Sequence, residues 1–384
     1  LSAFFILLSL NLYFYSIKPR AIFYVSILTI LAIMCKENGV IIPFLIVTID
    51  YFLLKEKKEF FSKKQILKIL PIFLSLFTLP LLYLIFKTPH EGTIGFQVGS
   101  IFNQIYTQIK VWNYIIIITI FPFWQNLDYD VAIETTLFSP YVIIPLFFLI
   151  FITAIAVRYR NISKIPLLCL LWFAISIFTT NSFVPFVDFI CERHFYISTI
   201  GIYLLFSFAI AGIFSHVNIR ENNQNKLIYL VGFIICSGYL YLTYERNLLY
   251  TSEVSIWRDT VQKSKKKYRP HYNLGVALLH KEEYREAIHE FKVANEIAKN
   301  KEVEAILGLT GALIKTREFD KALNHLQYGI NVKGKDPELI REVAYIYLLK
   351  GDIVKAEKYF NEISSIMSNS VSYLSQYGYL LNLK

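Results

Sequence analysis

Asp188, Glu192, Arg193 and His194 fall within seven residues of one another and stand directly before a long apolar run, residues 195–214. Charge beside such a run is costly unless it is solvated, paired or used. A guanidinium suits the binding of a phosphate, because its planar fork meets two oxygens at once and stays charged. Arg193 is therefore a candidate to hold an anionic head group, with Glu192 orienting it or meeting a second substrate. The plainer reading is an ion pair at a helix start, with Asp188 favoured by the positive helix end. His194 could exchange a proton, although a lone histidine at such a boundary is more often structural.

Other chemistry-bearing residues are scattered. Lys36 and Glu37 mark a polar hairpin tip between two apolar runs. They are either solvated turn charges or part of the same vestibule as Arg193. Asp128 and Asp130 lie in a loop that also holds Pro122 and Trp124. Acids there could coordinate a divalent cation or serve as a general base. No residues are expected to form a dedicated metal site, and no cofactor is called for beyond whatever the anionic head group belongs to. The four cysteines, Cys35, Cys169, Cys191 and Cys236, show no C-x-x-C spacing, which argues against a disulfide framework or a structural zinc. The P-loop, H-E-x-x-H and G-x-S-x-G patterns are missing from the sequence, which weakens nucleotide-hydrolase, metalloprotease and serine-hydrolase readings.

The elements that must position these residues are apolar. Of the 384 residues 55% are hydrophobic and 18% charged, against about 25% charged in a soluble domain. The mean hydropathy is +0.45. Apolar runs recur at 1–17, 21–35, 40–54, 69–86, 141–157, 165–180, 195–214 and 227–244. With lengths near the roughly 17–25 residues a span needs, they predict a polytopic bundle of about eight transmembrane helices. Residues 105–123 carry Gln108, Lys110 and Asn113, and are read as a re-entrant or interfacial helix. That choice gathers Lys18, Arg20, the lysine-rich loop 55–68, Arg158, Arg160, Lys164, Arg220 and Lys226 on one side, which the positive-inside rule makes cytoplasmic. Lys36, Asp128, Arg193 and the tail then face outward, as they would in a bacterial inner membrane. The net charge of +10 belongs to those basic loops and to anionic lipid rather than to nucleic acid. The chain opens with Leu1 inside an apolar run, so an upstream piece is expected.

From about residue 245 the charges become mixed and a repeat emerges. Ala287, Ala322 and Ala356 recur at about 34 residues, the tetratricopeptide period. Tyr272, Leu274, Gly275 and Leu278 begin one copy, and Tyr284, Phe291 and Ala294 complete it. The expectation is an all-α chain: a membrane domain over 1–244, then a tetratricopeptide α-solenoid over 245–384 with a leading half-repeat, three repeats and the start of another. Asn273, on a first helix of the array, is a peptide-binding candidate.

Three stretches carry a resemblance. They are Cys35-Lys36-Glu37-Asn38-Gly39 leading to Asp50-Tyr51, then Phe121-Pro122 with Leu127-Asp128-Tyr129, and Glu192-Arg193-His194-Phe195-Tyr196-Ile197 with Gly201. Their order, followed by the repeats, resembles the transmembrane-and-tetratricopeptide-repeat O-mannosyltransferase family and its bacterial relatives. His194 and Ser198 depart from it, where relatives tend to have Tyr and Pro. The resemblance implies a GT-C-type glycosyltransferase that moves a sugar, a mannose-like hexose among the options, from a polyprenyl-phosphate carrier to a protein or glycan hydroxyl. It also implies that the catalytic acid lies upstream of Leu1 and that the repeats bring in an acceptor protein. The competing expectation is a non-catalytic, membrane-anchored repeat scaffold for protein–protein interaction.

Overall fold

The structure is a computed structural model that describes residues 1–15, 19–53, 62–78, 81, 100–182, 188–215 and 221–383. Among these residues there are 17 α-helices. The chain divides into two units: residues 1–125 with 131–243, and residues 126–130 with 244–384.

The first unit is built from α1 (Ser2–Tyr15), α2 (Pro19–Cys35), α3 (Ile41–Leu53), α4 (Lys63–Leu74), α5 (Ile101–Ile120), α6 (Pro140–Arg158), α7 (Ile165–Phe178), α8 (Ser198–Ser215) and α9 (Glu221–Leu249), the last running on into the second unit. Ile6 and Leu10 of α1, Val25 and Ala32 of α2 and Ile42 and Ile46 of α3 form its core, joined by Ile72 and Ile197. Helix α5 buries polar side chains instead: Gln104, Thr107, Gln108 and Asn113. Their amides tie α5 to other segments: Gln104 Nε2 donates to the Ser182 carbonyl and Gln108 Oε1 accepts from Asn181 Nδ2, each at 3.2 Å. Asn113 Nδ2 likewise donates to the Pro145 carbonyl at 3.1 Å.

Much of this unit's apolar surface is uncovered. Helix α6 buries Val142 and Ala156 while Phe147, Ile150 and Phe151 stay exposed. Two helices among the described residues, Pro140–Arg158 and Asn225–Leu249, are long and apolar enough to cross a membrane. Five shorter apolar helices accompany them. The expected eight spans thus become two by length and composition. Polar turns trim the rest: residues 192–197 form a short 3-10 turn and its exit, so the run expected to begin at 195 becomes helical only at Ser198. Residues 79, 80 and 82–86 of the run 69–86, residues 55–61 of the lysine-rich loop, and Lys18 and Arg220 lie outside the described residues.

The second unit is an α-solenoid. After α10 (Glu253–Lys263) come three helix pairs, α11 (Tyr268–His280) with α12 (Tyr284–Ile297), α13 (Val303–Lys315) with α14 (Phe319–Lys333), and α15 (Pro337–Leu349) with α16 (Ile353–Met367), and then α17 (Val371–Leu383). Ala287, Ala322 and Ala356 are each fully buried. A methyl is all that fits where the two helices of a pair cross closely, which is why that position repeats. Phe291 fills the space between pairs. A Cβ added at Gly275 or Gly308 would stand 2.8 Å and 2.5 Å from its ring, so both positions need glycine for close approach rather than for backbone freedom.

Candidate functional site

The hairpin tip and the segment 188–194 are hung from the same place, the C-terminal end of α7. Thr179 Oγ1 donates to Asn38 Oδ1 at 2.9 Å. Asn181 Nδ2 donates to the Phe189 carbonyl at 2.6 Å. Asn181 is itself fixed by α5, whose Trp112 Nε1 donates to the Asn181 carbonyl at 2.8 Å. Helix α7 therefore sets both segments side by side although they are some 150 residues apart in sequence.

Two glycines make this possible. At Gly39 a Cβ would lie 2.4 Å from the Ile33 nitrogen and 2.5 Å from the Ala32 carbonyl carbon, so the tip folds directly onto the end of α2. At Gly201 a Cβ would lie 2.5 Å from the Cys169 carbonyl oxygen, so α8 runs against α7. Trp172 Nε1 donates to the Ile197 carbonyl at 2.8 Å and fixes where α8 begins. Residues 192–194 form a 3-10 turn after extended Cys191, and the His194 N–H donates to the Cys191 carbonyl at 2.9 Å.

The result is a mixed cluster with a cationic pair. Lys36, Glu37, Asp188, Glu192 and His194 are half-buried, and Arg193 is exposed. Burial pushes the Lys36 ammonium below its ordinary range; the Glu37 carboxylate is the largest influence against this, and Arg193 adds to it. His194 is pushed down to about 4, by burial first and then by Lys36 and Arg193. The imidazole is therefore neutral near pH 7. Burial raises the Cys191 thiol, opposed by Arg193 and Lys36. Among the described residues neither Lys36 nor Arg193 forms an ion pair. Arg193 lies near enough for its charge to bear on Lys36, a repulsion that an incoming phosphate would relieve.

Asp128 has its own setting. It belongs to the second unit, its side chain 3% exposed. Arg269 grips it with both arms, Nε to Oδ2 and Nη2 to Oδ1 at 2.6 Å each, and Lys267 Nζ reaches Oδ1. A carboxylate so enclosed has no free face for a metal or for a substrate hydroxyl; its role is to fasten a loop. Asp130 is exposed beside it. Among the described residues no three His, Cys, Asp or Glu side chains are arranged to hold a metal ion. Asn273 sits half-buried on α11.

Sequence reasoning passed over two further features. One is the carboxylate of Asp50, which accepts hydrogen bonds from Tyr13 Oη at 2.5 Å and from Gln65 Nε2. The other is a cavity of about 520 Å³ in the solenoid, lined from α12, α13 and α14. Its signal was present in the sequence as Arg285 and Lys292, one face apart by two turns on a second helix of the repeat.

By its own helix pairs and their spacing the second unit is a tetratricopeptide-type α-solenoid. No protein-family model matches the chain. No curated protein matches it. Among solved structures it is similar to YrrB, described as a TPR protein with an unusual peptide-binding site, with 16% identity over 38% of this chain and 84% of that one at a TM-score of 0.27. It is also similar to the APC/C hetero-tetramer Cut9-Hcn1, with 19% identity over 74% of this chain and 54% of that one at a TM-score of 0.32. The mannosyltransferase resemblance accordingly rests on the quoted residues alone.

Proposed function

We propose that the first unit is a membrane-embedded glycosyltransferase of the GT-C type. It takes a sugar from a polyprenyl-phosphate donor, and the repeats bring in the acceptor protein on the same, non-cytoplasmic side. The observation that carries this reading is the pair Lys36 and Arg193, brought together at the end of α7 with no ion-pair partner among the described residues. The wide apolar exposure of α6 and α9 supports a lipid setting, where an amphiphilic donor with an anionic head would be met. In transfer, the bond between the sugar C1 and the phosphate oxygen breaks, and the phosphate keeps the electron pair. Lys36 and Arg193 then stabilise the departing charge while the acceptor hydroxyl oxygen bonds to C1, its proton passing to the departing phosphate. The Glu37 carboxylate opposes the effect of burial on the Lys36 ammonium.

The reading is tested on the full chain in nanodiscs with undecaprenyl phosphate, and with undecaprenol as the neutral control. The phosphate is expected to bind and the alcohol not. Arg193→Ala and Lys36→Ala should each weaken phosphate binding about tenfold or more, the size of a lost charged hydrogen bond. Equal binding of phosphate and alcohol would remove the donor role. The second reading, an anchored scaffold, is favoured by one observation: two helices long enough to span are all that an anchor needs.

A further inference from the structure

Helix α5 is inverted with respect to a helix in water. Five of its nine buried side chains are polar: Gln104, Thr107, Gln108, Asn113 and Thr119. Every exposed residue from Ile101 to Trp124 is apolar, Phe102, Ile105, Ile117, Phe121, Phe123 and Trp124 among them. Water selects the reverse arrangement. Polar groups turned inward and apolar ones outward suit a segment whose outer surroundings are lipid. Phe121, Phe123 and Trp124 stand at the 3-10 turn that follows α5, each more than half exposed. Tyr114 Oη holds that turn to the helix, donating to the Trp124 carbonyl at 3.3 Å.

The partners of α5 mark its level. Gln104 Nε2 and Trp112 Nε1 donate to the carbonyls of Ser182 and Asn181, just past the end of α7. Lys110 Nζ lies 5.7 Å from the centre of the Tyr141 ring, and Asn113 Nδ2 donates to the Pro145 carbonyl, both near the start of α6. The stretch from Gln104 to Asn113 thus meets one end of α7 and one end of α6. The span Pro140–Arg158 begins at that same end, so α5 lies where α6 enters lipid. From this level α5 also reaches the cationic cluster. Asn181, fixed by Gln108 and Trp112, donates to the Phe189 carbonyl at 2.6 Å and so holds the segment that carries Arg193.

We propose that α5 and the turn after it form an interfacial anchor. Phe121, Phe123 and Trp124 sit at the boundary between phospholipid head groups and acyl chains on the non-cytoplasmic side, where aromatic rings are favoured. Through Asn181 the same helix sets Arg193 at the depth of the lipid phosphates. The anchor rests on the membrane setting proposed above, and it gives the donor site its level rather than its charge.

The test uses the full chain in nanodiscs of phosphatidylcholine and phosphatidylglycerol, with bromine placed either high or deep on the acyl chains. The tryptophan fluorescence of the parent minus that of Trp124→Phe reports Trp124. Its quenching is expected to be at least about twofold stronger with the high bromine than with the deep one, as an interfacial ring requires. No quenching by either, or stronger quenching by the deep bromine, would overturn the anchor. The variant Phe121→Ser/Phe123→Ser/Trp124→Ser changes exposed residues only. It should bind undecaprenyl phosphate about tenfold more weakly, the scale of one misplaced charged hydrogen bond, and water-soluble geranyl phosphate as the parent does. Unchanged binding of undecaprenyl phosphate, or equal loss of both ligands, would overturn the depth role. A parent that binds neither phosphate while Trp124 is quenched by the high bromine would sink the donor reading and the depth role together, with the anchor standing.

Discussion

His194 gives the sharpest handle on the cationic cluster. Its folded value of about 4 lies below the ordinary 6.5. Between those values the unfolded chain takes up a proton that the folded one refuses, so this residue's contribution makes stability fall as pH drops from about 6.5 towards about 4. In NMR of the full chain with ¹³C-labelled histidine, assigned with His194→Gln, the ring should titrate near 4. Lys36→Met should move it upward, because Lys36 is the larger influence of the two cations that lower it. An unchanged value would mean that the hairpin tip and the 192–194 turn are not neighbours. Gly39 is the companion case. A Cβ there meets backbone rather than a movable side chain, so Gly39→Ala should cost about 1–3 kcal/mol in chemical denaturation, the range for overpacking.

At the scale of the element, the turns inside the three repeats share one construction. Glu282, Arg317 and Gly351 have φ of 63°, 58° and 80°. After each, the next N–H reaches back to the helix it has just left: Glu283 to the Leu278 carbonyl at 3.0 Å, Glu318 to Leu313 at 2.8 Å and Asp352 to Tyr347 at 2.9 Å. This closure of a helix end is normally given to glycine, because a Cβ in the left-handed region costs about 1–2 kcal/mol. Glycine returns about 0.5–1 kcal/mol of that through its freer unfolded chain. Glu282→Gly and Arg317→Gly should therefore each stabilise the repeat unit by about 0.5–1 kcal/mol, seen as a higher thermal midpoint. A drop would show that the side chains do more at these turns than the backbone reveals.

At the scale of the molecule, Asp128 shows where reading a sequence stops. The repeats were legible because their determinants are periodic: Ala287, Ala322 and Ala356 recur whatever surrounds them. Lys36 and Glu37 were legible as charges at a tip, since apolar runs flank them. The partners of Asp128 are 139 and 141 residues away, and nothing local distinguishes an acid awaiting Arg269 from one awaiting a metal. Two helices of spanning length among the described residues, against eight expected, have a related reason: an apolar run records burial or lipid contact but not the residue at which a turn begins. Removing the Asp128 carboxylate leaves two cations facing an enclosed space. Asp128→Ala should cost about 2 kcal/mol, below the roughly 3–5 kcal/mol of a fully buried pair because Lys267 and Arg269 keep part of their hydration. Asp128→Asn should recover little, and a neutral outcome in denaturant titration would contradict the fastening role.

The setting of Phe291 bears on how such an array can be inherited. Its ring is received by Gly275 on one side and by Gly308, five residues into α13, on the other. The residue five positions into α15 is Glu342. Excising one unit by unequal recombination would therefore slide a glutamate onto an aromatic ring that leaves no room even for a methyl group. The copies look alike by period, yet they cannot change places, and the lineage of this chain is held to one order of repeats.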